Sequence, residues 1–315
     1  MGEVVVDIRA AGLNHLDIWV RKGGRAKLSF PHVLGSDAAG VVAEVGPGVT
    51  QWKAGDEVVV VPGLSCGGCE ACRRGEQSEC ESFGIIGLSR PGVFAERAVV
   101  PAANLLPKPP ELTWEEAASL GIAYSTAWRM LFARARLRPG ESVLIHGIGG
   151  GVAIAALQFA TLAGARAIVT SSSDEKLRRA TELGAAHGIN YRAANVAEAV
   201  RELTGGRGVD VSVNTVGAAA WPIDFAAARK GGRIVLCGVT TGAEAPTNLQ
   251  ALYWNQLDVL GSTFASHEDF RLMLRTVEAA GLKPVIDSVF PLDQARDAMG
   301  RMERGEQFGK IVLRI

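Results

Sequence analysis

From Glu141 onward, short uninterrupted apolar runs alternate with longer segments of helical spacing, and the alternation is regular. An apolar run with no polar alternation is what a strand buried on both faces looks like, as in a parallel sheet. The pattern predicts strand 143–146 and helix 151–163, strand 167–170 and helix 174–183, then a short strand near 188–190 and helix 195–204. Strand 209–214, a helical segment around 218–228, strand 233–237 and strand 259–262 follow. Repeated βα units of this length require a parallel sheet with helices on both faces. The first hundred residues read differently, as short Val-rich strands broken by Gly and Pro, including 57–61 and a strand pair in 92–101. That texture predicts a small irregular barrel or sandwich. Between the two regions, TWEEAA at 113–118 is a capping box with Thr113 and Glu116, followed by a helix and by another over 125–134. Helices 267–280 and 292–304 and strand 310–315 have no further βα partner, so they return to the first region and leave the parallel sheet as an insertion.

The first βα junction carries candidate chemistry. Strand 143–146 runs into Gly147, Gly149, Gly150 and Gly151, with Val152 opening the helix. Glycines admit backbone geometries that a side chain blocks, and the helix N-terminus adds free N–H groups, so the junction binds an anion, most often a dinucleotide pyrophosphate. Ala153 stands where a third glycine is common and needs only close helix–strand contact. A tight βα turn with no ligand is the competing reading. At the end of the second strand an acid would hold the ribose 2′-OH of NAD. Here Ser171, Ser172 and Ser173 stand there, with Lys176, Arg178 and Arg179 just beyond. Hydroxyls and a cation suit a 2′-phosphate, so NADP(H) is expected over NAD(H). Asp174 argues against this, unless it serves the first turn of a helix capped by Ser172 and Glu175. Asn214, Gly217 and Gly238 end later strands, where ligands meet such sheets.

Composition changes the picture at one place. The 33 basic and 33 acidic residues balance, with no basic block, which speaks against nucleic acid. At 48% hydrophobic, the 315 residues contain no charge-free membrane-length run, and the N-terminus carries Glu3 and Asp7 rather than a signal peptide. The expectation is a cytoplasmic protein acting on a small molecule. Of five cysteines, Cys66, Cys69, Cys72 and Cys80 fall within fifteen residues, while Cys237 stands alone. Four thiolates at these spacings wrap one tetrahedral zinc and leave no open position, so the expected ion is structural, one per chain. Free thiols and an iron–sulfur centre are the competing readings.

The cysteine lobe, GLNHLDIWVRKGG, FPHVLGSDAAGVVAEVG and HGIGGGVA together resemble the medium-chain dehydrogenase/reductase family, over essentially the whole chain. The resemblance implies an α/β architecture: a mostly β GroES-like catalytic domain with an inserted Rossmann doubly wound parallel sheet. On that basis residues 1–120 form the first part of the catalytic domain, with a zinc lobe at 63–82, residues 121–262 the dinucleotide domain, and residues 263–315 the return. It implies an active site in the cleft and a homodimer or homotetramer. The chain begins partway into the region that gives family members their first strands, which predicts an uncovered strand edge. Family members with a catalytic zinc hold it at positions that match Asn14, Ser36 and Ile122, with Asp37 where a glutamate stands. None of these three is a good zinc ligand. By the same correspondence Asn14, Asp17 and Thr126 line the nicotinamide and substrate, and Lys176 and Tyr191 contact the 2′-phosphate. Tyr124 either donates to a substrate oxygen or packs, and Asn14 and Asp17 either serve the site or cap a local turn. His146 either faces the cofactor or is satisfied locally. Without a metal on the alcohol oxygen, reduction of quinones or activated α,β-unsaturated carbonyls is the expected chemistry. A zinc-dependent alcohol dehydrogenase and a catalytically impaired NADPH-binding relative are the alternatives.

Overall fold

In the computed structural model, residues 2–23 and 31–315 are described. Gly24 and Phe30, each at the end of a motif quoted above, lie outside them. The chain divides into two compact units: residues up to Ser125 with Phe264–Ile315, and Thr126–Thr263. The strands in chain order are β1 (Glu3–Gly12), β2 (Asp37–Val45), β3 (Glu57–Val60), β4 (Gly63–Leu64), β5 (Gly84–Ile85), β6 (Arg97–Pro101) and β7 (Leu105–Pro107). Then come β8 (Ser142–Ile145), β9 (Arg166–Ser171), β10 (His187–Asn190), β11 (Val209–Asn214), β12 (Ala228–Leu236) and β13 (Asp258–Gly261), and finally β14 (Ile286–Pro291) and β15 (Lys310–Arg314).

In the first unit β1 organises the sheet. Its burial alternates from Glu3 to Arg9, the period-2 signature of a strand with one face in the core. β2 pairs antiparallel along one side. The other side is shared, with β6 on Glu3–Asp7 and β15 on Ala10–Gly12. The order is β14-β15-β1-β2-β3-β7, so the chain's last strands complete the sheet begun by its first. Val4, Val6, Ile8, Val42, Val58 and Val100 form the core beneath it. β4 and β5 make a separate two-stranded ribbon that flanks the cysteine lobe.

The second unit is a six-stranded parallel sheet in the order β10-β9-β8-β11-β12-β13. β8 and β11 are buried at every residue; β8 shows this as the apolar run Val143 to Ile145, whereas β11 alternates its valines with Asp210, Ser212 and Asn214, whose buried side chains are hydrogen-bonded. The strand order reverses between β8 and β11, so the loops after these two strands flank the crevice where doubly wound sheets take ligands. The architecture is therefore a GroES-like, mostly antiparallel sheet plus a Rossmann-like parallel sheet, as the resemblance implied. Local details differ. Residues 92–96 are not strand, and the segment Arg129–Arg134 winds as wider π-helical turns after the α-helix Ser125–Trp128. Helix Asp174–Glu182 is capped by Ser173, whose hydroxyl accepts from Lys176 N, rather than by Ser172. Among the described residues no helix is long and apolar enough to cross a membrane.

Candidate metal centre and dinucleotide site

The Sγ atoms of Cys66, Cys69, Cys72 and Cys80 all lie within 4.8 Å of one another. Cys66 and Cys80 are 3.6 Å apart and Cys66 and Cys72 4.0 Å. A tetrahedron of thiolates about zinc, with bonds of about 2.3 Å, has edges of about 3.8 Å. The spacing fits that ion and is far too long for disulfides. Gly67 and Gly75, at φ 72° and 83°, turn the chain so that the four side chains converge. The backbone N–H groups of Gly68 and Cys69 pull the Cys66 thiol down to about 6, which favours the thiolate that binds metal. Arg74 is engaged by Glu70 and Glu79 at the rim.

A second polar cluster closes the end of β1. Asp17, in the helix His15–Arg21, accepts from Asn14 N at 2.8 Å and from Gly35 N at 3.1 Å. Burial pushes its carboxyl up to about 7, against the pull of these donors and of Lys310. Lys310, buried at the start of β15, donates to Leu13 O at 2.8 Å, Asn14 Oδ1 at 2.7 Å and Asp37 Oδ2 at 3.1 Å. Asp37 Oδ1 takes Ile122 N at 2.8 Å, and burial raises its carboxyl above the ordinary range despite Lys310. A Cβ at Gly121 would stand 2.2 Å from that same oxygen, so glycine is required there. Thus Asn14, Asp17 and Asp37 are brought together, with Ile122 touching by its backbone. Ser36 is also buried, and its Oγ has no partner among the described residues. Tyr124 is fully buried and its hydroxyl accepts from Val285 N at 3.1 Å, with burial pushing its pKa up. Thr126 is buried in the helix Ser125–Trp128.

In the second unit the glycine loop has the geometry its sequence requires. Gly147 and Gly149 take φ 73° and 118°, and Gly150, in extended conformation, precedes the helix Gly151–Leu162. Val152 lies in that helix's first turn, and Ala153 is buried against the sheet. Asn214 Oδ1 accepts from Val216 N and Gly217 N of its own turn at 3.0 and 2.7 Å, while its Nδ2 donates to Asp224. A Cβ at Gly238 would stand 2.2 Å from Thr215 O, so the loops after β11 and β12 touch there. Ser171 closes β9 and its hydroxyl accepts from Ser173 N at 3.1 Å. Ser172 and Lys176 are half-buried beside it, and Tyr191 is exposed just past β10. Asp174 is held by Asn190 Nδ2 at 2.7 Å, and Arg178 is engaged by Glu175 and Glu182. The strand end therefore presents hydroxyls and Lys176. Lys310 was not anticipated, because it opens an ordinary strand pattern and no local signal distinguishes it.

A four-thiolate lobe on a GroES-like sheet and a glycine loop at the switch point of a Rossmann-like sheet define a dinucleotide-dependent oxidoreductase. The zinc-binding dehydrogenase family matches residues 151–279, and the alcohol dehydrogenase GroES-like domain matches residues 1–110. A solved NAD-dependent alcohol dehydrogenase is 46% identical, with TM-score 0.96, over 100% of this chain and 92% of its own. A cobalt- and zinc-bound thermostable alcohol dehydrogenase from Pyrobaculum aerophilum is 36% identical, with TM-score 0.90, over 100% and 92%. A zinc-type alcohol dehydrogenase-like protein of Schizosaccharomyces pombe is 36% identical over 322 residues, covering 100% of this chain and 91% of its own. The chain belongs to the medium-chain dehydrogenase/reductase (zinc-type alcohol dehydrogenase) superfamily and is an NAD(P)H-dependent oxidoreductase of that type.

One expectation is overturned by these findings: the reading as a reductase of quinones or activated α,β-unsaturated carbonyls that works without a catalytic zinc. It rested on residue types at three positions, Asn14, Ser36 and Ile122. The cysteine cluster able to chelate metal, together with relatives that are alcohol dehydrogenases, supports a zinc-binding alcohol dehydrogenase instead.

Proposed function

We propose that this protein is a zinc-binding, NAD(P)-dependent alcohol dehydrogenase interconverting a primary or secondary alcohol with its aldehyde or ketone. The observation that carries the reading is the convergence of four sulfurs within 4.8 Å, on a chain whose relatives include zinc-bound alcohol dehydrogenases. Cys66, Cys69, Cys72 and Cys80 hold one zinc per chain, which closes a lobe with few apolar residues of its own. The dinucleotide supplies hydride acceptance and donation. Gly147, Gly149, Gly150, Gly151 and Val152 receive its pyrophosphate at the helix N-terminus. Ser171, Ser172, Lys176 and Tyr191 surround the adenosine ribose, and their hydroxyls and cation support NADP(H) over NAD(H). Thr126, Asn214 and Gly238 complete the cofactor site by position. Asn14 and Asp17, fixed by Lys310 and by Gly35 N, are the candidates beside the reacting carbon, and the geometry of Tyr124 supports a packing role.

The assembly is a homodimer or homotetramer. β13 is the outer strand of the parallel sheet, and Val259, Leu249, Tyr253 and Trp254 are exposed on it and on the helix Leu249–Trp254. An open strand edge beside exposed apolar side chains is what a second copy covers.

The deciding experiment measures NADP⁺ and NAD⁺ reduction with a panel of primary and secondary alcohols, with zinc content determined on the same sample. Near one zinc per chain and alcohol-dependent reduction are expected. Zinc-loaded protein that turns over no alcohol with either dinucleotide would sink the proposal.

A further inference from the structure

We propose that Asp224 is the positioning residue that sets both walls of the dinucleotide crevice, an inference that rests on reading the glycine loop as the cofactor site. Asp224 lies in the helix Trp221–Ala227, and its carboxylate is fully buried. It accepts three hydrogen bonds: from Ser212 Oγ at 2.6 Å, from Asn214 Nδ2 at 2.7 Å and from His146 Nε2 at 3.0 Å. A carboxylate only accepts, so two ambiguous side chains are oriented by it. The imidazole of His146 must carry its proton on Nε2, and the amide of Asn214 must turn its nitrogen toward Asp224.

Each consequence reaches one loop. With Nε2 protonated, His146 Nδ1 accepts from Thr170 Oγ1 at 3.4 Å, and the Thr170 oxygen accepts in turn from Gly147 N at 3.4 Å. This arm ends on the first glycine of the loop after β8. On the other side, the turned amide leaves Asn214 Oδ1 facing Val216 N and Gly217 N, and its nitrogen also reaches Gly217 O at 3.2 Å. This arm fixes the turn after β11. The two loops meet directly: Thr215 Oγ1 donates to His146 O at 2.9 Å, and a Cβ at Gly147 would stand 2.8 Å from the Val216 side chain. One carboxylate behind the strands thus orients both sides of the switch point between β8 and β11. Buried networks of this kind are fully satisfied or costly, which makes the orientation sharp.

The donor and acceptor pattern gives a specific test. In Asp224→Asn, the new amide keeps its oxygen toward His146 and Ser212 and sets its nitrogen against Asn214 Nδ2, donor against donor. Asn214 then flips and presents its nitrogen to the N–H groups of Val216 and Gly217. Adding Asn214→Asp restores an acceptor to both sides. Nicotinamide-fluorescence titration with NADPH and NADH, alongside steady-state kinetics, is run on the full chain and its variants. Asp224→Asn is expected to weaken dinucleotide binding and raise its KM roughly tenfold with kcat changed less than about threefold. The pair Asp224→Asn/Asn214→Asp is expected to bind dinucleotide at least about threefold more tightly than Asp224→Asn alone. Ser212→Ala, which removes a bond to the same carboxylate but touches neither loop, is expected to lower the unfolding midpoint and leave dinucleotide binding unchanged. If Asp224→Asn fails to fold, Thr170→Val cuts the arm to Gly147 alone and is expected to weaken binding. Variants that bind as the parent chain does, a pair no better than the single change, or Ser212→Ala weakening binding equally would each overturn the inference. A parent chain that binds neither dinucleotide would overturn the cofactor reading itself, a different result from unchanged variants.

Discussion

Lys310 Nζ stands 3.1 Å from Asp37 Oδ2, and both side chains are closed off from solvent. The ammonium is also shared with Leu13 O and Asn14 Oδ1, so β15, β2 and the turn after β1 are tied at one point by a charge whose three donors are all used. Replacing one partner of such a pair strands the other charge in the interior. Lys310→Met is expected to lower stability by about 3–5 kcal/mol, as measured by denaturant unfolding. A loss under about 1 kcal/mol would mean that Asp37 is solvated or neutral without its partner.

Asp17 makes stability depend on pH in a defined direction. Its folded carboxyl titrates at about 7, against an ordinary value of 3.8. Between these values the folded chain binds more protons than the unfolded one, so this group's contribution falls as pH rises through the window and is level above it. Asp37, also raised by burial, acts in the same sense. Asp17→Asn removes the Asp17 component while adding a constant cost, because an amide cannot accept from both Asn14 N and Gly35 N. Unfolding midpoints of the two chains should converge as pH rises from about 4 to 7. Parallel curves would refute the assignment.

Zinc should be countable and removable. Cys66→Ser or Cys80→Ser is expected to abolish stoichiometric zinc and to lower Tm by on the order of 5 °C, as chelation does. Unchanged Tm in zinc-depleted protein would show that the lobe holds itself without metal.

Lys176→Glu tests the cofactor preference. It should raise the KM for NADP⁺ about tenfold, roughly 1.4 kcal/mol, while leaving that for NAD⁺ within about twofold. Equal effects on both dinucleotides would place Lys176 away from the 2′-phosphate.

Trp254 and Tyr253 test the assembly. Changing both to Glu puts like charges at the exposed face beside β13, and sedimentation should show a smaller species than the parent chain. An unchanged sedimentation coefficient would put the contact elsewhere.

The Rossmann-like sheet was legible because a strand buried on both faces, such as β8, reads as an apolar run and because the βα units repeat regularly, although β11 alternates its valines with the buried Asp210, Ser212 and Asn214. The cysteine centre was legible for a different reason: Cys66, Cys69, Cys72 and Cys80 are close in sequence, and tight turns at Gly67 and Gly75 suffice to converge them. The chemistry was misread where three matched positions, Asn14, Ser36 and Ile122, were given more weight than the lobe and the whole-chain kinship. Sequence reasoning also passed over Lys310, the first residue of a strand, and Asp224, an unremarked acid in a helix.

The sequence by itself determined the alternation of strands and helices, the glycine turn and the metal-binding lobe, because each is set by local backbone sterics or by short ligand spacing. Only the tertiary structure decided which polar side chains act together. Lys310 reaches Asp37 across 273 residues and Asp224 reaches His146 across 78. Hydrogen bonds over such separations carry no periodicity in the chain, and they exist only once the strands that bear them have been paired.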